Sequence, residues 1–145
     1  LGAITDSYDL ETEISQTYET KHITTDLLKI TTNKFIGDIY QIPPIYSAIK
    51  LNGERLYKKA RRGESIKLDA RKIKVYDFKL TEINMPKINF KINCSKGTYI
   101  RSIANDFGKE LNCGGHLSKL CRESIGNYHI SEALDINAFK NSLNY

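Results

Sequence analysis

The chain has 145 residues, 40% of them hydrophobic, and a net charge of +5. One domain with a real core is the expectation at that length. No apolar run reaches the ~20 residues needed to span a bilayer, and the acidic start LGAITDSYDLETE lacks a signal- or transit-peptide pattern, so a cytoplasmic protein is expected.

In chain order, LGAIT reads as the tail of a strand and TDSYDLETEIS as a polar loop. Thr25 or Asp26 caps a helix running to Phe35, with Leu27, Leu28, Ile30 and Phe35 as its apolar positions, and Gly37 ends it. YSAIKL after Pro43-Pro44 reads as extended, because proline lacks a donor and disfavours helix before it. NGERLYKKARRG reads as a turn and a short helix, with Leu56 and Ala60 inward and Gly63 as its stop.

KIKVYDFKLTEI alternates, but its apolar register flips between Val75 and Phe78, which predicts a bulge near Tyr76. A turn at Met85-Pro86-Lys87 leads into INFKINC, which sets Ile88, Phe90, Ile92 and Cys94 on one face. Tyr99 to Leu111 reads as a helix with a stripe of Ile100, Ile103, Ala104, Phe107 and Leu111. Gly114-Gly115 breaks the chain, HLSKLCRESIGNYHI reads as extended, and Ile136 to Leu143 as a short helix. Strands and helices do not alternate regularly, so the expected class is α+β.

The charge is unevenly spread. Residues 50–74 hold ten Lys or Arg against three acids, whereas the first twenty residues hold five acids and no Lys or Arg. A surplus of positive charge in one segment suits a polyanion, although a solvated basic face has the same composition. Three cysteines without a CxxC spacing fit free thiols in a reducing compartment, and Cys113, His116 and Cys121 are not spaced as a zinc knuckle, so no metal is expected.

The junction NCSKGTYIR holds a conflict. With Thr98 as N-cap, Arg101 occupies the third helical position, where a capping box would place Glu or Gln. A cation in the first turn costs a few tenths to about 1 kcal/mol against the helix dipole. Lys96, Gly97 and Arg101 converge on free N–H groups, a setting that suits a phosphate or a carboxylate.

The wording at this junction, CSKGTYIR followed by DFGKEL, resembles the signature of the TruB family of tRNA pseudouridine synthases. Three further stretches resemble that family's motifs in order: LGAITDSYD, FIGDIYQIPPIYSAIKLNGERLYKKARRG and HLSKLCRESIGNY. The resemblance covers nearly the whole chain. It implies part of a pseudouridine synthase catalytic domain, a mixed, mainly antiparallel sheet with flanking helices. It also implies isomerisation of a tRNA T-loop uridine, position 55, with the T-arm as partner and neither cofactor nor metal.

By the same resemblance, Arg101 matches the arginine that pairs with the catalytic aspartate, and Lys96 and Tyr99 match residues near the target nucleotide. Leu120 matches an apolar residue beside the flipped base; an ordinary core leucine is the other reading. Tyr46, Lys50, Arg55, Tyr57, Arg61 and Arg62 fall in an RNA-gripping insertion near residues 43–68.

The chain departs from the family pattern in three ways. The G-x-L-D motif with the nucleophile and the upstream tyrosine strand are not in this sequence, and Asp6 and Asp9 belong to a different motif. Cys121 stands where many relatives have arginine. No PUA domain is expected within residues 1–145. Residues 1–145 are therefore expected to be the C-terminal portion of the catalytic domain, inactive by itself. An exposed sheet edge would invite association, with the oligomeric state left open. A non-catalytic RNA-binding module of the same fold is the alternative.

Overall fold

The computed structural model describes residues 1–143. β1 (Ala3–Thr5) pairs antiparallel with β2 (Ile14–Thr17). α1 (Thr25–Lys34) leads to β3 (Gly37–Gln41), followed by the β4 (Lys50–Leu51) and β5 (Glu54–Arg55) hairpin and α2 (Leu56–Arg61). β6 (Arg71–Asn84) and β7 (Lys87–Cys94) form the long hairpin, and α3 (Ile100–Glu110) comes next. β8 (Ser124–Ile125), β9 (Tyr128–His129) and α4 (Ile136–Ser142) end the described chain. Every strand pairing among the described residues is antiparallel, and the main sheet has the order β3-β6-β7. The α+β expectation holds.

The core lies between that sheet and the two long helices. Leu28 and Phe35 of the α1 region meet Ile73, Val75 and Phe78 of β6 and Ile103, Phe107 and Leu111 of the α3 region. Phe78 stands at the centre of an aromatic cluster, with ring centroids 6.2 Å from Phe35, 5.6 Å from Phe107 and 5.3 Å from Phe90. Each such ring contributes about 2–3 kcal/mol of burial plus a smaller edge-to-face term.

β6 can serve this core along its length because its register shifts. One irregularity falls between Val75 and Asp77, as the flipped alternation predicts, and leaves Tyr76 exposed. A second, between Leu80 and Glu82, flips the pattern again so that Leu80 and Ile83 both pack against the core. The sequence reading had only the first.

Several local expectations are corrected. Thr24, not Thr25 or Asp26, caps α1, its hydroxyl accepting from the Leu27 N–H, and Ile30 lies 58% exposed. A ten-residue helix on a narrow sheet buries only one stripe, here Leu28, Thr31 and Thr32, with Phe35 buried just past its end. Gly37–Gln41 is a strand rather than a plain helix stop, and of YSAIKL only Lys50 and Leu51 form a ladder. The Asn52-Gly53 turn of that hairpin has φ of 54° and 82°, the left-handed pair such tight turns demand. Beyond Leu117 the described chain buries no side chain, and Leu120 is exposed rather than core.

α3 and the 113–115 turn approach closely. A Cβ on Gly108 would lie 2.2 Å from the Gly114 carbonyl carbon and the Gly115 nitrogen. Backbone cannot yield as a side-chain tip can. Gly108→Ala is therefore expected to destabilise the fold by about 3 kcal/mol, and to lower Tm by roughly 10 °C, measured by thermal circular dichroism.

Candidate functional site

The site begins where α3 does. Thr98 does not cap this helix: its hydroxyl donates to the Ser95 carbonyl at 2.9 Å, and Tyr99 takes the N-cap position without a side-chain cap of its own. Arg101 is therefore the second helical residue. A side chain from β3 does the holding instead. Gln41, 2% exposed, accepts from the Tyr99 N–H at 2.8 Å and donates to the Tyr99 carbonyl at 3.1 Å. Ser102 Oγ donates to the Ile42 carbonyl at 2.9 Å. The first turn of α3 is thus stitched to residues 41–42, ahead of two prolines that have no N–H to offer. Sequence reasoning missed Gln41; its only signal was a glutamine directly before a donor-poor segment.

Arg101 turns its guanidinium away from the helix terminus. Nη1 donates to Asp9 Oδ2 at 2.9 Å and to the Ser7 carbonyl at 3.4 Å, and Nη2 donates to the Tyr46 carbonyl at 2.8 Å. The two charged side chains are 21% and 25% exposed. A carboxylate and two carbonyls in a poorly solvated place offset the dipole cost that the sequence raised. Asp9 is the carboxylate that this chain itself supplies.

The Asp9 loop is set by hydroxyls. Thr5 Oγ1 donates to the Asp9 carbonyl at 2.6 Å, and Ser7 and Thr12 exchange side-chain-to-backbone bonds across the loop at 3.0 and 3.2 Å. Tyr8 adopts φ 64°, a conformation few non-glycine residues take, and its carbonyl accepts from the Leu117 N–H at 2.9 Å. That bond brings the 117–120 segment against the loop. Partial burial works against the Asp9 charge. Hydrogen bonding from Ser7 and the Glu11 N–H, with the Arg101 charge, outweighs it and holds the carboxyl below its usual range. Ser7 and Thr12 were also missed; a polar loop does not reveal which hydroxyls fold inward.

These pieces enclose an open cleft of about 370 Å³. Asp9, Glu11 and Arg101 form its polar side. Leu10, Leu117, Ser118, Lys119 and Leu120 complete its lining, with Leu10 and Leu120 62% and 59% exposed. Arg101 and Leu120 are brought together here. Lys96 and Tyr99 do not line this cleft: Lys96 is exposed in the turn before α3, and Tyr99 is half-buried over Gln41. Cys113 is buried, Cys121 is exposed, and the His116 ring meets the Ala3 carbonyl. The described residues hold no cluster of three metal-ligating side chains.

The basic segment forms a small unit beside the cleft. Leu56 and Ala60 anchor α2 inward, and the Tyr57 N–H donates to the Ser47 carbonyl at 3.1 Å. Tyr46 contributes its carbonyl to Arg101. Lys50 and Arg55 face each other on the exposed hairpin, with no ion pair to either among the described residues. Arg61 lies over the Tyr57 ring at 5.5 Å and donates to Glu11 at 3.0 Å, linking the unit to the cleft wall. Arg62 is engaged by Glu54 and Glu64.

An antiparallel α+β domain whose arginine-carboxylate pair floors a cleft beside a basic hairpin is the frame in which known relatives appear. Residues 1–100 match the model of the TruB family pseudouridylate synthase N-terminal domain. The chain is 53% identical over 143 residues to the tRNA pseudouridine synthase B of Flavobacterium johnsoniae, covering 99% of this chain and 62% of that protein. It is 45% identical to the enzyme of the same name from Phocaeicola vulgatus, covering 96% of this chain and 59% of that one. A chain in the crystal structure of a Cbf5-Nop10-Gar1 complex is 30% identical with a TM-score of 0.51, over 67% of this chain and 24% of that one. The chain belongs to the TruB family of pseudouridine synthases. It spans about 60% of the length of these two bacterial relatives.

Because the folded Asp9 carboxyl is depressed below its ordinary value of 3.8, its contribution to stability is complete above that pH and is lost as the pH falls through the folded value. Asp9→Asn should therefore flatten the acid limb of stability below about pH 4, read by denaturant unfolding across pH 2–6. Arg101→Gln should cost about 2 kcal/mol at neutral pH, less than a wholly buried pair would.

Proposed function

We propose that this chain is the part of a tRNA pseudouridine synthase that carries the cleft arginine and the RNA grip. The whole enzyme isomerises a T-loop uridine, position 55, to pseudouridine in cytoplasmic tRNA. The observation that carries the reading is the Arg101–Asp9 pair at the floor of an apolar-lipped cleft, beside a basic unit with aromatic rings. The paired segment offers charge to phosphates and stacking faces to bases, and the cleft offers room for a nucleotide taken out of the loop.

The chemistry requires the N1–C1′ glycosidic bond to break and a C5–C1′ bond to form. C5 then loses its proton to solvent and N1 gains one. A carboxylate nucleophile is the group the family uses. Asp9 is poorly suited to that task, since Oδ1 accepts from the Glu11 N–H at 2.9 Å and Oδ2 from Arg101. In our reading Asp9 orients Arg101, Arg101 steadies a nucleophile supplied from outside these residues, and Leu120 packs beside the flipped base. Lys96 and Tyr99 meet the RNA near the target nucleotide, and Tyr46, Lys50, Arg55, Tyr57 and Arg61 hold its backbone and bases. Unpaired strand edges are where further strands would add.

Tritium release from tRNA labelled at uridine C5 tests this. The 145-residue chain should release none, and a chain extended to include the G-x-L-D segment should release label. Arg101→Ala in that longer chain should abolish most turnover while sparing tRNA binding. Release by the short chain would assign the nucleophile to these residues instead. Lys50→Gln with Arg55→Gln should lower the slope of log Kd against log salt by about 1.5, each contact contributing ~0.7–0.9.

A further inference from the structure

The cations of the basic unit are not equivalent. Lys50, Arg55 and Lys58 have no ion pair among the described residues, and Arg61 has one exposed partner, Glu11. Arg62 spends every nitrogen on carboxylates. Nε donates to Glu64 Oε1 at 2.8 Å, Nη1 to Glu54 Oε1 at 2.6 Å, and Nη2 to both Glu54 Oε2 at 2.9 Å and Glu64 Oε1 at 2.6 Å. Lys59 approaches the same two carboxylates at 3.7 and 3.4 Å. The four charges sum to zero. Hydrogen bonds from Arg62 hold the Glu54 and Glu64 carboxyls below their ordinary range.

The partners come from opposite ends of the unit. Glu54 lies in the hairpin, opposite Leu51, and Glu64 follows Gly63 after α2. A single exposed pair contributes little, but a bidentate arginine in a network loses less side-chain entropy per contact. A phosphate replacing either carboxylate on Arg62 would leave that glutamate with Lys59 alone and set two anions side by side, which repel.

We propose that Arg62 is a positioning residue rather than a phosphate ligand. With Glu54, Glu64 and Lys59 it forms a neutral clasp that fixes the β4–β5 hairpin on α2, and so sets the spacing at which Lys50, Arg55, Lys58 and Arg61 meet RNA phosphates. The inference rests on the RNA-gripping reading above and assigns the work within it.

The test uses the 145-residue chain and an unmodified tRNA transcript, with Kd measured across a salt series. Arg62→Gln should weaken binding about fivefold at every salt concentration, the size of an exposed network's coupling, with the salt slope unchanged. A slope reduced by about one, or no loss at all, would each overturn the clasp. In the free protein, the Arg62 Nε–H should exchange with solvent more slowly than that of Arg55 by NMR, and Glu54→Gln/Glu64→Gln should abolish the difference. Equal exchange in the wild-type chain would also overturn it. If the wild-type chain shows no salt-dependent tRNA binding, the RNA reading fails, and the exchange measurement still decides whether the clasp exists.

Discussion

A single guanidinium organises the functional end of this domain. Arg101 reaches the Asp9 loop, the Tyr46 carbonyl and, through its own helix, the sheet core. A cation at a helix start is unfavourable in isolation. It persists here because three acceptors from two distant loops converge on it in a partly desolvated place. Removing it would leave the Asp9 carboxylate and two carbonyls facing one another, so the loops would lose their reason to meet. The contact joins the Asp9 loop, which lines the cleft, to the Tyr46 segment.

The contact depends on the core behind it. α3 is fixed by Ile103, Phe107 and Leu111 against β6 and α1, and its close approach to the 113–115 turn holds at glycine. Gln41 and Ser102 then set the rotation of its first turn. The rigid layer decides where Arg101 starts, and the loops adapt to where it ends. Tyr8, held at positive φ, shows that the loop accepts backbone strain to present Asp9.

Charge is divided between the two parts of the surface. In the cleft Arg101 and Asp9 pair with each other, Glu11 pairs outward with Arg61, and leucines line the rest beside Ser118 and Lys119. Among the described residues, the basic unit leaves Lys50, Arg55 and Lys58 without an ion pair and exposed. Arg61 spans the two, resting on Tyr57 and reaching Glu11 at the cleft wall. A polyanion drawn to the unit would therefore arrive beside the cleft, a proximity that charge steering turns into faster encounter.

The sequence by itself determined much of the secondary structure, because periodicity and turn chemistry are local. The bulge at Tyr76, the stripe of the third helix, the Asn52-Gly53 turn and the inward Leu56 and Ala60 all follow from spacing along one segment. The family was legible in four ordered motifs. The charge surplus of residues 50–74 was legible too, but not which of its cations are spent on neighbours. Only the tertiary structure decided that Arg101 meets Asp9, 92 residues away, that Gln41 holds Tyr99 across 58 residues, and that Arg62 lies between two glutamates. It also decided that β6 slips register a second time and that Leu120 stands at a cleft lip. Each of these depends on which loops the packed core brings within hydrogen-bond reach, and no local pattern in the chain encodes that distance.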